Sequence, residues 1–311
     1  MPTKLIHSLS VIFLTLITCT VGLADESLTE QLEAAKNRVT GPSFDIRYKF
    51  KVGEVVRTRV EHLVTVETKI QGVSETAQTR SVSTKSWKIV HVDEQGNIQF
   101  IHQVDDVEMW QKVTDRPEVR FDSRSDKDVP PEYRMVAESV GEPLAKITMT
   151  PYGEITDREN TRPNVPLSIA DLTVPLPGKP IRLGERWTVS TKVPVRKSAA
   201  DPIKNVKTRQ VYTLEQVKTG VATISVKTQL LTPVDDAAIK SKLVQRMQNG
   251  EIRFDIDNGR LLSKQMDLDE TVQNFHGADS IMQYLARFTE TLVKDEPKTA
   301  TQPVQGPKLK R

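Results

Sequence analysis

From Val56 to Ile70 the chain alternates. Val, Thr, Val, His, Val, Val, Thr and Ile hold the even positions, and Arg, Arg, Glu, Leu, Thr, Glu and Lys hold the odd ones. Period-two alternation over this length predicts a strand of about 50 Å with one dry face, long enough that it should curl or carry a bulge. Two further alternating stretches, "TRSVSTKSWKIVHV" and "NIQFIHQVDDVEMW", meet at "DEQGN", a turn with Gly96 available for positive φ. Placing His91 across from Ile98, Ile89 across from Phe100 and Trp87 across from His102 gathers the large apolar residues on one face, and a one-residue slip scatters them.

Helical patterns are few. Ser27 and Glu30 form a capping box ahead of Leu28, Leu32, Ala35 and Val39. A short helix is predicted over 131–140, between proline and Gly141. Another carries Ile239, Leu243 and Met247 and ends at Gly250; a last one, capped by Asp279, carries Ile281, Leu285, Phe288 and Leu292. The fold expected is mainly β: an antiparallel, curled or barrel-like sheet under three or four short covering helices, an α+β arrangement.

Five prolines between 161 and 180 make "TRPNVPLSIADLTVPLPGKP" an extended crossing. The punctuation on its two sides repeats. "VGEVVRTRV" matches "LGERWTVST", and "TKSWKIVHVDEQGNIQFIHQV" matches "TRQVYTLEQVKTGVATISVKT". Each series continues to a Gly-Glu after a short helix and then a hairpin, "VGEPLAKITMTPYGEITD" beside "NGEIRFDIDNGRLLSK". Two duplicated halves are one reading; shared punctuation of any antiparallel protein is the other. The divisions expected are a signal segment 1–24, an N-terminal helical segment 25–43, a first β unit 44–160, the crossing 161–180, a second β unit 181–275, a C-terminal helix 276–296 and a disordered basic tail 297–311.

"LPGKPIRLGERW", the unit ending in "VGEPLAKITMTPYGEITD" and "FDIDNGRLLS" resemble a domain-of-unknown-function class of exported bacterial β proteins with paired hairpin units. The resemblance runs from about Tyr48 to Val272 and implies no catalytic residues. A looser architectural likeness is to envelope carriers of lipoproteins, in which a curved sheet and helices enclose a lipid pocket.

The first residues set the address. Lys4 precedes an apolar stretch centred on 11–17, and Gly22 and Ala24 supply small residues for cleavage between Ala24 and Asp25. The apolar run is short for a bilayer core of about 30 Å. Export to the periplasm or outside the cell is therefore expected, with no transmembrane span in the mature chain. The alternative is a lipid anchor on Cys19, the single cysteine. The formal charge of +3 is spread thinly, and the tail cations Lys298, Lys308, Lys310 and Arg311 outweigh it, so the body offers no basic stripe for nucleic acid. The tail is a solvated end or a weak contact for an anionic envelope polymer.

Candidate chemistry is sparse. In "FDIDNGRLLSKQMDLDE", Asp255, Asp257, Asp267 and Asp269 flank an Asn-Gly, but an EF-hand count from Asp255 puts Gly259 at the fifth position and Met266 at the twelfth. A type I′ hairpin at Asn258-Gly259 is the better reading. His62, His91, His102 and His276 show no zinc spacing, no serine sits in a nucleophile elbow, and no phosphate loop is present. Adjacent acids at Asp105, Asp106 and Glu108, and at Asp235 and Asp236, do not by themselves form a convergent pair. Trp187 and Trp110 read as plugs at sheet ends. No metal site, cofactor or catalytic residue is expected. The expectation is a monomeric, non-enzymatic exported protein. An apolar ligand would be held by Trp87, Phe100 and His102 in a pocket of at least about 300 Å³; the alternatives are an envelope assembly module and a hydrolase with dispersed carboxylates.

Overall fold

The structure, a computed structural model, describes residues 41–161, 172–198 and 200–294. The expected signal segment, Cys19, the expected helix at Ser27, much of the crossing and the basic tail lie outside these residues.

Among the described residues twelve strands form one antiparallel sheet. In chain order they are β1 (Val55–Ile70), β2 (Val73–Val92), β3 (Ile98–Val113), β4 (Val119–Asp122), β5 (Pro143–Met149), β6 (Ile155–Asn160), β7 (Arg186–Val195), β8 (Lys204–Lys218), β9 (Val221–Leu230), β10 (Asn249–Asp255), β11 (Arg260–Gln273) and β12 (Ile281–Leu292). The spatial order is β6-β5-β3-β2-β1-β12-β11-β10-β9-β8-β7, with β4 on the flank of β3. Each half is a meander, and β12 joins them by pairing with both β11 and β1. Among the described residues the sheet does not close. Its edges are β6 and β7, the strands that flank the proline-rich crossing, where missing N–H groups disfavour a ladder.

The predicted strand at 55–70 is present along its whole length. Trp87 pairs with His102 and Ile89 with Phe100, as the alternation requires. Beyond Ile89 the ladder shifts by one residue, so His91 faces Gln99 and Val92 faces Ile98. The bulge leaves Val90 unpaired and overturns the expected His91–Ile98 pair.

Only two α-helices occur among the described residues. A 3-10 turn (Pro131–Tyr133) leads into α1 (Arg134–Ala137). The second helix, α2 (Ala237–Leu243), is capped by the Asp236 carboxylate, which accepts from Ala238 N and Ile239 N, and it continues as a 3-10 turn (Val244–Arg246). The helix expected over 276–296 is instead β12. Its inner face carries Met282, Tyr284 and Ala286, all buried, and that period of two overrides the helical stripe.

The two meanders share local hydrogen bonds. Gly53 N donates to Ile89 O (2.9 Å) and Ile89 N to Glu54 O (2.9 Å); in the second half Gly184 N donates to Leu214 O (2.7 Å) and Leu214 N to Glu185 O (3.1 Å). Glu54 accepts from Lys51 N, and Glu185 accepts from Arg182 N. Each second strand then bulges at the next residue, between Ile89 and His91 and between Leu214 and Gln216. In both halves a short helix is inserted between the third strand of the meander and the one that pairs with it.

One end of the inner face is filled. Ile89 and Phe100 of the first half, Ile147 and Met149 of β5, and Leu214, Ile224, Ile252 and Phe254 of the second half meet in one core. Ile46, Tyr48, Val174, Leu176 and Ile181, from the segments preceding β1 and β7, plug it. These two segments are bridged at Phe44 and Ile181.

Candidate functional site

Trp87, Phe100 and His102 are brought together at the filled end. The rings of Trp87 and Phe100 stack at 4.5 Å between centroids, and His102 is Trp87's cross-strand neighbour. Tyr48 and Phe50 pack over Trp87. The cavity lined by Tyr48, Phe50, Val56, Thr58, Trp87, Arg260, Leu261 and Glu290 measures about 20 Å³, room for roughly one water rather than a lipid chain. Aromatic side chains occupy the space that the sequence assigned to a ligand.

His102 is 3 % exposed. Burial is the main cause that pushes its pKa down to about 3, the Lys85 ammonium adds to the fall, and a hydrogen bond with the Ser86 backbone opposes it. The imidazole is therefore neutral at physiological pH. It does not meet His62 and His91 at one point: His62 sits on β1 with its ring edge-on to Phe288, and His91 is exposed past the bulge.

Below this core the inner face changes character. Lys85 on β2 and Glu290 on β12 form a buried ion pair at 2.7 Å across β1, their side chains 10 % and 3 % exposed. Thr58, paired with Lys85 in register, lies between them. The Lys85 ammonium also approaches the Trp87 ring at 5.6 Å. At the rim Arg260 pairs with Glu54 and lies over the Phe50 ring at 4.3 Å. Among the described residues nothing hydrogen-bonds Thr58 Oγ1 or Trp87 Nε1, two polar atoms bordering the small cavity. This polar belt was missed from sequence, although Lys85 falls in phase with Trp87 and Ile89 and so intrudes on an apolar face.

Past the belt the face opens. Val60, His62, Val64 and Val66 of β1 and Ser81 and Ser83 of β2 are only half-buried, although β1 and β2 lie in the middle of the sheet. Walls rise on both sides. On one, Tyr133 and α1 cover Val107 of β3 and Phe121 of β4. On the other, α2 and its 3-10 extension place Leu243 over Val195 and Val206 and Val244 over Leu268, Val272 and Tyr284. The floor between them is a valine stripe beside a serine stripe.

The aspartates of the Asn-Gly segment form a hairpin, as expected, but of another kind. Phe254 pairs with Leu261 and Asp255 with Arg260, so four residues, 256–259, make the loop. Asp255 accepts from Asn258 N and Asn258 Nδ2, both at 2.8 Å. Only Gly259 has positive φ, and a Cβ there would lie 2.4 Å from Lys49 N. The two-residue turn with positive φ twice occurs instead at Gln71-Gly72 and Thr219-Gly220. Asp267 is far along β11, bonded to Arg287 and Gln265. Among the described residues no group of three or more His, Cys, Asp or Glu could hold a metal ion, and no helix is long and apolar enough to cross a membrane.

The outer face is a lattice of ion pairs. Arg57 bonds Asp105, Arg80 bonds Glu61 and Glu108, and Arg124 bonds Asp122. Asp122 is held below the usual carboxylate range by Arg124. Trp110 lies on this face among Arg80, Glu108 and Arg120, and Trp187 stacks on Tyr212 at the filled end and donates to Pro175 O.

Residues 164–261 match a family of unknown function (DUF6263). The match spans most of the crossing and β7 to β10, within the second of the two meanders, and agrees with the expected resemblance to a domain of unknown function. No curated protein matches the chain. Among solved structures, lipovitellin, described for its lipid–protein interactions, is 10% identical with a TM-score of 0.41; the alignment covers 79% of this chain and 26% of that one. The protein thus spans about a quarter of the lipovitellin chain. DynF from the dynemicin biosynthesis pathway of Micromonospora chersina is 5% identical over 83% of this chain and 89% of that one, with a TM-score of 0.22. A β-barrel-like protein of another domain of unknown function (DUF1849), from Brucella abortus, is 14% identical over 77% and 96% of the two chains, with a TM-score of 0.13.

Proposed function

We propose that this is an exported, non-enzymatic envelope or extracellular protein that holds an amphipathic, largely apolar ligand on the open half of its inner face. One observation carries the reading. Inner-face residues at the centre of a twelve-stranded sheet, Val60, His62, Val64 and Val66, are only half-buried, Val64 and Val66 packing at one side against the cluster under Val244, while both flanks are roofed by helices. Burying such a floor against a ligand's hydrocarbon is favourable by about 25 cal/mol per Å². Ser81 and Ser83 give a polar group on the same ligand hydrogen-bonding partners. The non-catalytic part of the reading rests on Asp105, Glu108, Asp122 and Asp267, each already engaged by an arginine. The repeated hydrogen bonds and bulges of the two meanders support descent of the halves from one duplicated unit.

Native mass spectrometry of the protein purified from its host tests the ligand. A retained molecule of lipid-like mass is expected, present in the wild type and lost from Val64→Asp. A bare polypeptide mass, together with no uptake of added oleate, overturns the proposal.

A further inference from the structure

We propose that the outer edge of β7 is an acceptor site for one extended segment of another polypeptide, which pairs there as β12 pairs with β1. The inference rests on the duplication reading and is independent of the ligand on the inner face.

Counting from the matched Gly-Glu turns, β7 occupies in the second unit the place of β1 in the first. The sequels differ. β12 follows the second unit and caps β1, whereas the proline-rich crossing follows the first unit, and among the described residues β7 has a strand on one side only. The backbone groups on the vacant side can be identified. Lys207 O accepts from Leu231 N on the β9 side, so Lys192, which pairs with Lys207, turns its own N–H and C=O away from β8. Thr188, Ser190 and Pro194 share that phase, and Pro194 can sit in the strand because its missing N–H faces outward. The same phase holds in the first unit, where Arg57 O, equivalent to Thr188, accepts from Val293 N just past β12.

Side chains define the partner. The inner face of β7 carries Trp187, Val189 and Val193, and its outer face carries Arg186, Thr188, Ser190 and Lys192. A fitting segment alternates apolar residues with acidic or hydroxyl ones, the specificity pattern of strand addition. A second copy of β7 fits poorly, since antiparallel pairing about Val189 sets Arg186 opposite Lys192. Lys192 and Pro194 thus act against self-pairing.

Transferring the β1–β12 register puts Thr289 of a β12-like strand opposite Lys192, because Glu61 pairs with Thr289. The probe is a labelled synthetic peptide of residues 281–294, which includes Val293, the residue that bonds Arg57 O in the first unit, offered to the full-length protein as T289E and as T289K. The T289E peptide is expected to bind at least tenfold more tightly and to slow hydrogen exchange at Thr188, Ser190 and Lys192 while leaving Val189 and Thr191 unchanged. Ser190→Pro in the protein removes an outward N–H and spares the β8 ladder; it should abolish binding with its melting temperature nearly intact. No binding by either peptide, binding indifferent to Ser190→Pro, or outward amides already protected in the free protein overturns the proposal. So does a dimer in sedimentation that Ser190→Pro dissociates, which would give the edge to a second copy. Oleate uptake by the Ser190→Pro protein should match wild type, which separates failure here from failure of the inner-face site.

Discussion

The two ends of the inner face are built on the same central strands and differ in what lies over them. At one end, segments preceding β1 and β7 fold inward, and Tyr48, Phe50 and Phe254 fill the concavity around Trp87. At the other, short helices roof the flanks, and the middle keeps a half-buried floor. The Lys85–Glu290 pair marks the boundary. A long alternating strand therefore specifies a dry face without specifying what dries it. Here part of the face is covered by the chain's own plug, and the rest is only half-buried.

The largest effect should come from the boundary itself. Glu290→Ala leaves a buried ammonium without its partner and is expected to destabilise the fold by about 3 to 5 kcal/mol in urea unfolding. Adding Lys85→Met should recover most of that loss, because the uncompensated charge is gone. If Glu290→Ala costs no more than a surface substitution, about 0.5 kcal/mol, the belt is solvated and the division between filled and open ends is not where it has been drawn.

A second, smaller effect follows from His102 in the filled end. The unfolded imidazole takes up a proton near the usual pKa of about 6.5, whereas the native one resists protonation down to about 3. Between these values the unfolded state binds more protons. The stabilisation is thus complete above the unfolded pKa and is lost as pH falls through that window toward the folded pKa. Comparing wild type with His102→Gln, the wild type should lose up to about 1.4 kcal/mol more per pH unit between pH 6 and 4. Parallel pH profiles would mean that His102 is wet, and the filled end less filled than described.

Much of the sheet was legible because alternation has few rival explanations over sixteen residues, as in β1, and because one register alone buried Trp87, Ile89 and Phe100 together. What escaped has physical reasons. β12 is central and carries Ile281 and Leu285 on its outer face as well as Met282, Tyr284 and Phe288 inside, so its apolar residues also fit a helical stripe. The bulge at Val90 leaves no mark in the pattern, since an inserted residue looks like any other. The Asn-Gly loop was misjudged because the Asp255 carboxylate ties up Asn258, stabilising a four-residue loop in place of the two-residue turn. The filling around Trp87 depended on Tyr48 and Val174, whose hydrogen bond joins residues 126 apart in sequence. Lys85 and Glu290 were readable singly as charges on apolar faces, but their meeting across β1 is a property of the strand order β2-β1-β12.

The smallest effect sharpens the comparison most, because it holds the chemistry constant. Val226 on β9 lies in the filled core at 1 % exposure, whereas Val64 on β1 lies half-buried on the open floor. Truncating each to alanine removes the same two methyl groups. Val226→Ala should cost about 2 kcal/mol, the scale of a fully buried side chain, and Val64→Ala about 1 kcal/mol or less, since part of its surface already faces outward. The thermal unfolding of the ligand-stripped protein gives both numbers. With oleate bound, the order should narrow: a ligand lying on Val64 gains contacts there, so the melting-temperature rise on adding oleate should be smaller in Val64→Ala than in Val226→Ala. Equal losses in the stripped protein would mean that the middle of the sheet is as well packed as its plugged end, leaving no floor for a ligand to cover.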